Sequence, residues 1–342
     1  VTVSVHLLTW DYAVLALVAP AHDPVFVPRP ADGLESFLAD IARGDADDWL
    51  DRVISQRPRP VLRRVRRAER ARPRPCVGVE HEYTVFEGDE VVDFKAIVHG
   101  LGLPGIRADP VDPHAYRCPW GGMVTADGIE AEIATPPVPL GRGAVDRVVS
   151  LASEGRSFLS AHLGPGFRLE GFSTHLNISI PGRGDARLAR RYAETFAPAL
   201  MLLLDEAGSP GLLVRPRPGR LELCGEFADD DRLRVAVAFA VSSTVASVRD
   251  PLRMRRLRVV ARSVPSRQRF GYFLAPDAFG AHLYRDGRGS LLQRRSGTTV
   301  TAQDHLAACW HLCRPFGQRC LAPSELDAVE RVVLGDGELP SR

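Results

Sequence analysis

Lysine is nearly absent from this chain. Of its 44 lysine and arginine residues only Lys95 is a lysine. A Walker-type Gly-x-x-x-x-Gly-Lys-Ser/Thr loop is therefore excluded, and no Gly-x-Gly-x-x-Gly follows a strand, so any nucleotide must be held by other means. The simplest origin of the arginine bias is a GC-rich genome. Excess charge of one sign is also missing. A formal net charge of +2 on 342 residues points to neither a nucleic-acid nor a membrane partner. No apolar run approaches the ~20 residues of a membrane-spanning helix. Cysteines are few and scattered, at positions 76, 118, 224, 309, 313 and 320, unlike the dense framework of a small secreted domain. Reduced thiols in a cytoplasm are the expectation. The run AVLALVAPA at 13–21 has the length of a signal-peptide core, but no basic residue precedes it, and Trp10, Asp11 and Tyr12 stand where a charged leader would be. It reads as a buried strand.

With 45% hydrophobic and 25% charged residues the chain can bury a core, as one large domain or two ordinary ones. Residues 1–74 read as a small N-terminal α/β segment with an arginine-rich linker, and 75–342 as a second, larger domain. In the first part, strands are expected at 1–8 and 12–18 and helices at 33–43 and 45–55. Segment 57–74 carries nine arginines and one glutamate. It is either a polyanion-binding patch or a solvated linker, and the lack of interleaved aromatics argues against nucleic acid. Further on, strands are expected at 76–86, 129–134, 167–180 and 219–227, and amphipathic helices at 143–162, 185–206 and 230–248. This succession predicts an α+β fold, a sheet covered on one face by helices.

Four strands carry the chemistry. In GVEHEYTVF (78–86) the side chains alternate, so Glu80 and Glu82 share a face. Two neighbouring carboxylates repel unless solvated or bridged by a hard cation such as Mg²⁺ or Mn²⁺. GIEAEIATPP (128–137) repeats the arrangement with Glu130 and Glu132. STHLNISIP (173–181) places Ser173, His175, Asn177 and Ser179 on one face and aliphatic residues on the other. His175 is then a metal ligand or a satisfied structural histidine. RLELCGE (220–226) aligns Arg220, Glu222, Cys224 and Glu226, with Arg215 and Arg217 just upstream. Fixed guanidinium groups around a glutamate suit a site for metal and phosphate oxygens, or a plain surface ion pair. Carboxylate-rich ligation disfavours structural zinc and favours two or more Mg²⁺ or Mn²⁺ ions.

Two further clusters are ambiguous. Eight arginines within 249–269 are either a phosphate or carboxylate contact or a helix surface. His305, Cys309 and Cys313 recur at four-residue spacing, with Cys320 beyond, as a zinc site or as small residues on a buried helix face.

In order, GVEHEY, EAEIATPP, STHLNIS and RLELCGE resemble the signature strands of the glutamine synthetase–glutamate-cysteine ligase superfamily, nearest to bacterial carboxylate–amine ligases, over residues 76–275. The resemblance implies a curved antiparallel sheet forming a catalytic funnel with helices outside. It further implies metal ligation by Glu80, Glu82, Glu130, Glu132, His175 and Glu222, and nucleotide contacts from Asn177 and Ser179. Arg220, with Arg215 or Arg217, would hold the γ-phosphate. Glu80, Glu82, Glu132, Arg220 and Glu222 would be the catalytic set. The implied partners are ATP, a small amino-acid-like carboxylate and an amine, joined through an acyl phosphate. Homo-oligomer formation stays open. The chain departs from the pattern at Asn177, where relatives often have histidine, at Cys224, where an arginine is common, and throughout its first seventy residues. A guanidino phosphotransferase on the same fold and a non-catalytic nucleotide-binding relative are the alternatives. Glu226 and His114 are candidates for the base, and loops 101–120 and 267–296 for specificity.

Overall fold

Period-two alternation of apolar residues governs the observed architecture, a computed structural model that describes residues 75–107, 112–179, 186–262, 264–266 and 271–335, together with three short N-terminal strands. The chain divides into two compact units, Val1–Pro73 and Arg74–Arg342. In the first, β1 (Ser4–Leu7), β2 (Val14–Val18) and β3 (Val25–Pro28) form an antiparallel sheet in that order. The first two coincide with expected strands; β3, a run of only four residues ending on proline, was not expected. The helices expected at 33–43 and 45–55 and the arginine-rich segment 57–74 lie outside the described residues.

The second unit is organised by a 12-stranded sheet. Its strands are β4 (Cys76–Glu87), β5 (Glu90–Val92), β6 (Ile106–Arg107), β7 (Tyr116–Arg117), β8 (Met123–Asp127), β9 (Glu130–Ala134), β10 (Val138–Pro139), β11 (Phe167–Ser179), β12 (Leu212–Arg217), β13 (Arg220–Glu226), β14 (Val264–Ser266) and β15 (Gly271–Leu274). The order across the sheet is β14-β15-β12-β13-β11-β4-β9-β8-β7-β6, with β5 and β10 also paired to β4, and every pair is antiparallel. A separate ribbon joins β16 (Leu291–Gln293) to β17 (Thr299–Thr301).

Helices of two or more turns are α1 (Ala144–Leu163), α2 (Ala186–Thr195), α3 (Ala197–Leu204), α4 (Asp230–Arg249), α5 (Ala302–Gly317) and α6 (Pro323–Leu334). They cover one face of the sheet. Val77, Val79, Leu176, Ile178, Leu221 and Leu223 project into that layer and join Val148, Leu188, Leu200 and Phe239 in one core. Burial of this kind contributes about 25 cal/mol per Å² of apolar surface. Since strand side chains alternate, the same packing commits the opposite faces of β4, β11 and β13 to the other side of the sheet. The α+β expectation, an antiparallel sheet with helices on its outer face, is what is observed. No helix among the described residues is long and apolar enough to cross a membrane.

One expected helix is two. The run 185–206 breaks between α2 and α3 because Pro198 lacks an N–H and cannot bond the carbonyl of Glu194. Val259 N–H donates to that carbonyl instead, at 2.8 Å. The next carbonyl, Thr195, lies 2.8 Å from Nε2 of His305 and accepts from the Cys309 thiol at 3.4 Å. The His305–Cys309–Cys313 face of α5 is thus fully buried, and its first two residues serve a helix break. Of the arginines in 249–269, Arg258 pairs with the buried Glu194, whose carboxylate also takes Arg190 and Arg295.

Candidate metal and phosphate site

A bulge decides which side chains meet. Gly171 opposes Tyr83, but Ser173 opposes Glu82, leaving Phe172 as an extra residue in β11. Before the bulge Leu169 faces the helices; after it Leu176 and Ile178 do. The shift turns Ser173, His175, Asn177 and Ser179 onto the carboxylate face. Gly171 permits the irregularity, because a Cβ there would stand 2.2 Å from the Phe227 ring.

Cross-strand register then sets the site out in rows. The first holds Thr125, Glu132, Glu82, Ser173 and Glu226; the second Ala134, Glu80, His175, Cys224 and Leu213. The third holds Gly78, Asn177, Glu222 and Arg215, and the last Ser179, Arg220 and Arg217. Carboxylates therefore occupy one end of the face and guanidinium groups the other.

His175 sits among the acids. Its Nδ1 is 3.3 Å from Glu80 Oε2 and 3.9 Å from Glu222 Oε1, and its Nε2 is 3.5 Å from Glu82 Oε1. Ser173 Oγ donates to Glu82 Oε2 at 2.6 Å. Burial disfavours the imidazolium, yet hydrogen bonds to Cys224 and Glu80 and the surrounding negative charge push His175 up to about 12. Burial raises Glu132 to about 8, with the charges of Glu80, Glu82 and Asp127 adding to it. Glu82 is raised as well, chiefly by burial. Glu80 goes the other way: burial opposes ionisation, but the His175 hydrogen bond and charge and the Arg220 charge outweigh it. The protein by itself supplies too little positive charge for so many carboxylates.

Among the described residues, two groups of ligand atoms lie close enough to hold a cation. Glu82, Asp127 and Glu132 form one, and His175, Glu222 and Cys224 the other, with the atoms of each group within 4.8 Å of one another. Glu222 is 1% exposed and its Oε2 takes Arg217 Nε at 2.7 Å and Arg215 Nη1 at 3.2 Å, so Oε1 is the oxygen turned to His175. Asn177, the only asparagine of the chain, is buried, and its side chain lies close enough to Glu80 to help hold that carboxylate ionised. The Nε atoms of Arg215 and Arg220 are buried without a hydrogen-bond partner. Two unpartnered guanidinium Nε atoms along one edge of a carboxylate cluster have the chemistry of a bound anion's contacts.

A cavity of about 560 Å³ opens over the carboxylate end. Glu82, Asp127, Glu130, Glu226, His175 and Cys224 contribute polar or ionisable groups, and Phe172, Pro210, Leu213 and Phe273 an apolar wall. Arg217, Arg220, Asn177 and Ser179 share the sheet face but not the cavity lining. Ser179 Oγ accepts from Cys76 N–H at 2.8 Å. Glu130 turns back on its own hairpin, accepting from Ile129 N–H at 3.1 Å, and lies at the cavity rather than in either ligand group. Of the two base candidates, Glu226 lines the cavity, whereas His114 does not and stacks on His99 with ring centroids 5.0 Å apart. Loop 267–296 contributes Phe273; among the described residues, loop 101–120 contributes nothing to the lining.

Asp127 is the candidate ligand that sequence reasoning missed. Its signal was present: Asp127-Gly128 is a hairpin dipeptide, and Gly128 takes φ +63° in the two-residue turn joining β8 to β9. That turn pairs Asp127 with Glu130, next to the Glu132 row.

No family model matches the chain, and no curated protein matches it. Among solved structures fifteen chains are similar. One is from the complex between the prokaryotic ubiquitin-like protein Pup and its ligase PafA, at 12% identity and a TM-score of 0.45. The match spans 76% of this chain and 64% of that one. A likeness so distant bears on neither the reaction nor the substrate.

Proposed function

We propose that this protein is an ATP- and divalent-metal-dependent ligase that joins a small carboxylate to an amine. The observation that carries the reading is the single sheet face on which Glu80, Glu82, Asp127, Glu132, His175 and Glu222 gather beside Arg215, Arg217 and Arg220. The order of the four signature strands, which resemble those of carboxylate–amine ligases, supports it independently.

In this reading the γ-phosphoryl of ATP passes to the substrate carboxylate, giving ADP and an acyl phosphate. Attack of the amine on that carbonyl then yields the amide and phosphate. Glu82, Asp127 and Glu132 would hold Mg²⁺ or Mn²⁺, which neutralises phosphate charge when bound. Arg220, with Arg217 directly across from it and Arg215 one row over, orients the phosphate oxygens, and Asn177 lies in the Arg215 row. Phe172, Leu213 and Phe273 shield the reacting carbonyl from water, which would otherwise hydrolyse an acyl phosphate. Glu226, one of the carboxylates that line the cavity, takes the amine's proton in this reading, and its N–H donates to the buried Asp205 at 3.0 Å. Such chemistry depends on charge stabilisation and positioning more than on an activated nucleophile.

The test is incubation with ATP, Mg²⁺ and hydroxylamine against pools of amino acids and other small carboxylates. Hydroxamate formed with one pool, and lost in Glu82→Gln and Glu132→Gln, supports the ligase. ADP formed with a guanidino compound and no hydroxamate transfers the site to phosphotransfer. Mg²⁺-dependent ATP binding without turnover in any pool keeps the nucleotide site and leaves a substrate outside the pools or a non-catalytic relative.

A further inference from the structure

The two ligand groups differ in kind. Glu82, Asp127 and Glu132 offer oxygen alone, the preference of Mg²⁺ and Mn²⁺. His175, Glu222 and Cys224 offer nitrogen, oxygen and sulfur. A thiolate and an imidazole together favour a softer ion, zinc above all, over magnesium. Cys224 comes to the group through β-sheet register: it lies directly across from His175, while Glu222 stands two residues before it on the same face of β13. The thiol is buried, within hydrogen-bonding reach of the histidine, and lines the cavity with it.

We propose that His175, Cys224 and Glu222 form a zinc-selective position, distinct from the all-carboxylate position of Glu82, Asp127 and Glu132. Three protein ligands and a cavity on the open side match a zinc site that keeps a fourth place for water or substrate. Arg215 and Arg217 supply the outer contacts, fixing Glu222 through Oε2 and leaving Oε1 for the metal. Ligation takes the sulfur as thiolate and the ring as neutral imidazole, both protons passing to solvent. The inference shares a sheet face with the proposed ligase but requires no turnover. Failure of hydroxamate formation leaves it standing, and its own failure leaves Mg²⁺-dependent ligation untouched.

Cobalt(II) serves as the probe on the metal-free full-length chain. One equivalent should produce a thiolate-to-cobalt charge-transfer absorption in the near ultraviolet, displaced by zinc. Cys224→Ser should abolish it. Asp127→Asn, in the oxygen-only group, and Cys309→Ala with Cys313→Ala should keep it. X-ray absorption of the zinc-loaded wild-type chain needs no variant and should show one sulfur at about 2.3 Å. A shell of nitrogen and oxygen only, or a cobalt–thiolate band that survives Cys224→Ser, overturns the proposal.

Discussion

Glu82 and Glu132 are direct cross-strand partners, two acidic side chains facing each other on one side of the sheet. Like charges in that position destabilise a sheet by roughly 0.2–1 kcal/mol. Burial and the neighbouring Glu80 raise Glu132 to about 8, above an ordinary value of 4.5. In the metal-free fold it therefore holds a proton that the unfolded chain has released. Its contribution to stability is complete below about pH 4.5 and lost as the pH rises through about 8. Urea unfolding of EDTA-treated protein should show Glu132→Gln gaining on the wild type across that window. Added Mg²⁺ or Mn²⁺ should stabilise the wild type at pH 8 and the variant much less. Equal metal stabilisation of both would remove Glu132 from the ligands.

Glu222 answers two guanidinium groups from inside the sheet. Replacing it with alanine leaves Arg215 and Arg217 without their carboxylate, and since both guanidinium groups keep contact with water the cost should be about 1–3 kcal/mol. Arg217→Ala should cost about 1 kcal/mol or less, since that side chain is 39% exposed and Arg215 still pairs with Glu222. Denaturant midpoints of the two variants measure the difference.

Glu325 ties the last helix to the first long one. Its Oε1 accepts from Val145 N–H at 2.8 Å and its Oε2 from Gly143 N–H at 3.3 Å, satisfying the start of α1, while Oε2 also caps α6 at Ala322. At 1% exposure, Glu325→Ala should cost about 1–3 kcal/mol through those unpaired donors. Hydrogen exchange of residues 143–146 should accelerate in the variant. Unchanged protection there would mean that water replaces the carboxylate without loss.

Gly225 leaves room for a neighbouring acid. A Cβ at this position would stand 2.5 Å from Asp205 Oδ1 and 2.7 Å from Leu204 Cδ2. Asp205 cannot yield easily, being fully buried and held by Tyr284 and the Glu226 N–H. Gly225→Ala should cost about 1–3 kcal/mol and displace Cys224 and Glu226 from the cavity. Gly166→Ala, which meets nothing within 4 Å, is the control. Thermal melts and metal titrations of both variants separate a local clash from a general glycine effect.

Faces were legible in the sequence because alternation is a local property of a strand. Glu80 with Glu82, and Ser173 through Ser179, could be assigned to one side without knowing any partner strand, and the aliphatic residues between them fixed that side as the one away from the helices. The long helices at 144–163 and 230–249 followed equally from aliphatic spacing. The division of 186–204 did not, even with Pro198 in view. Whether proline ends a helix or opens a new one depends on donors for the freed carbonyls, and these came from Val259, His305 and Cys309, far along the chain.

The sequence by itself therefore determined which residues share a face within β4, β9 and β13 and along β11 beyond its bulge, and that acids and arginines are concentrated there. Short strands such as β5 to β8, β12, β14 and β15 were not expected. Only the tertiary structure decided who meets whom. Strand order brought β11 between β4 and β13, so that His175 has Glu80 on one side and Cys224 on the other. The Phe172 bulge chose the register, and the β8–β9 hairpin delivered Asp127. Periodicity is written in neighbouring residues, whereas pairing is a choice among distant segments that burial of the whole sheet makes at once.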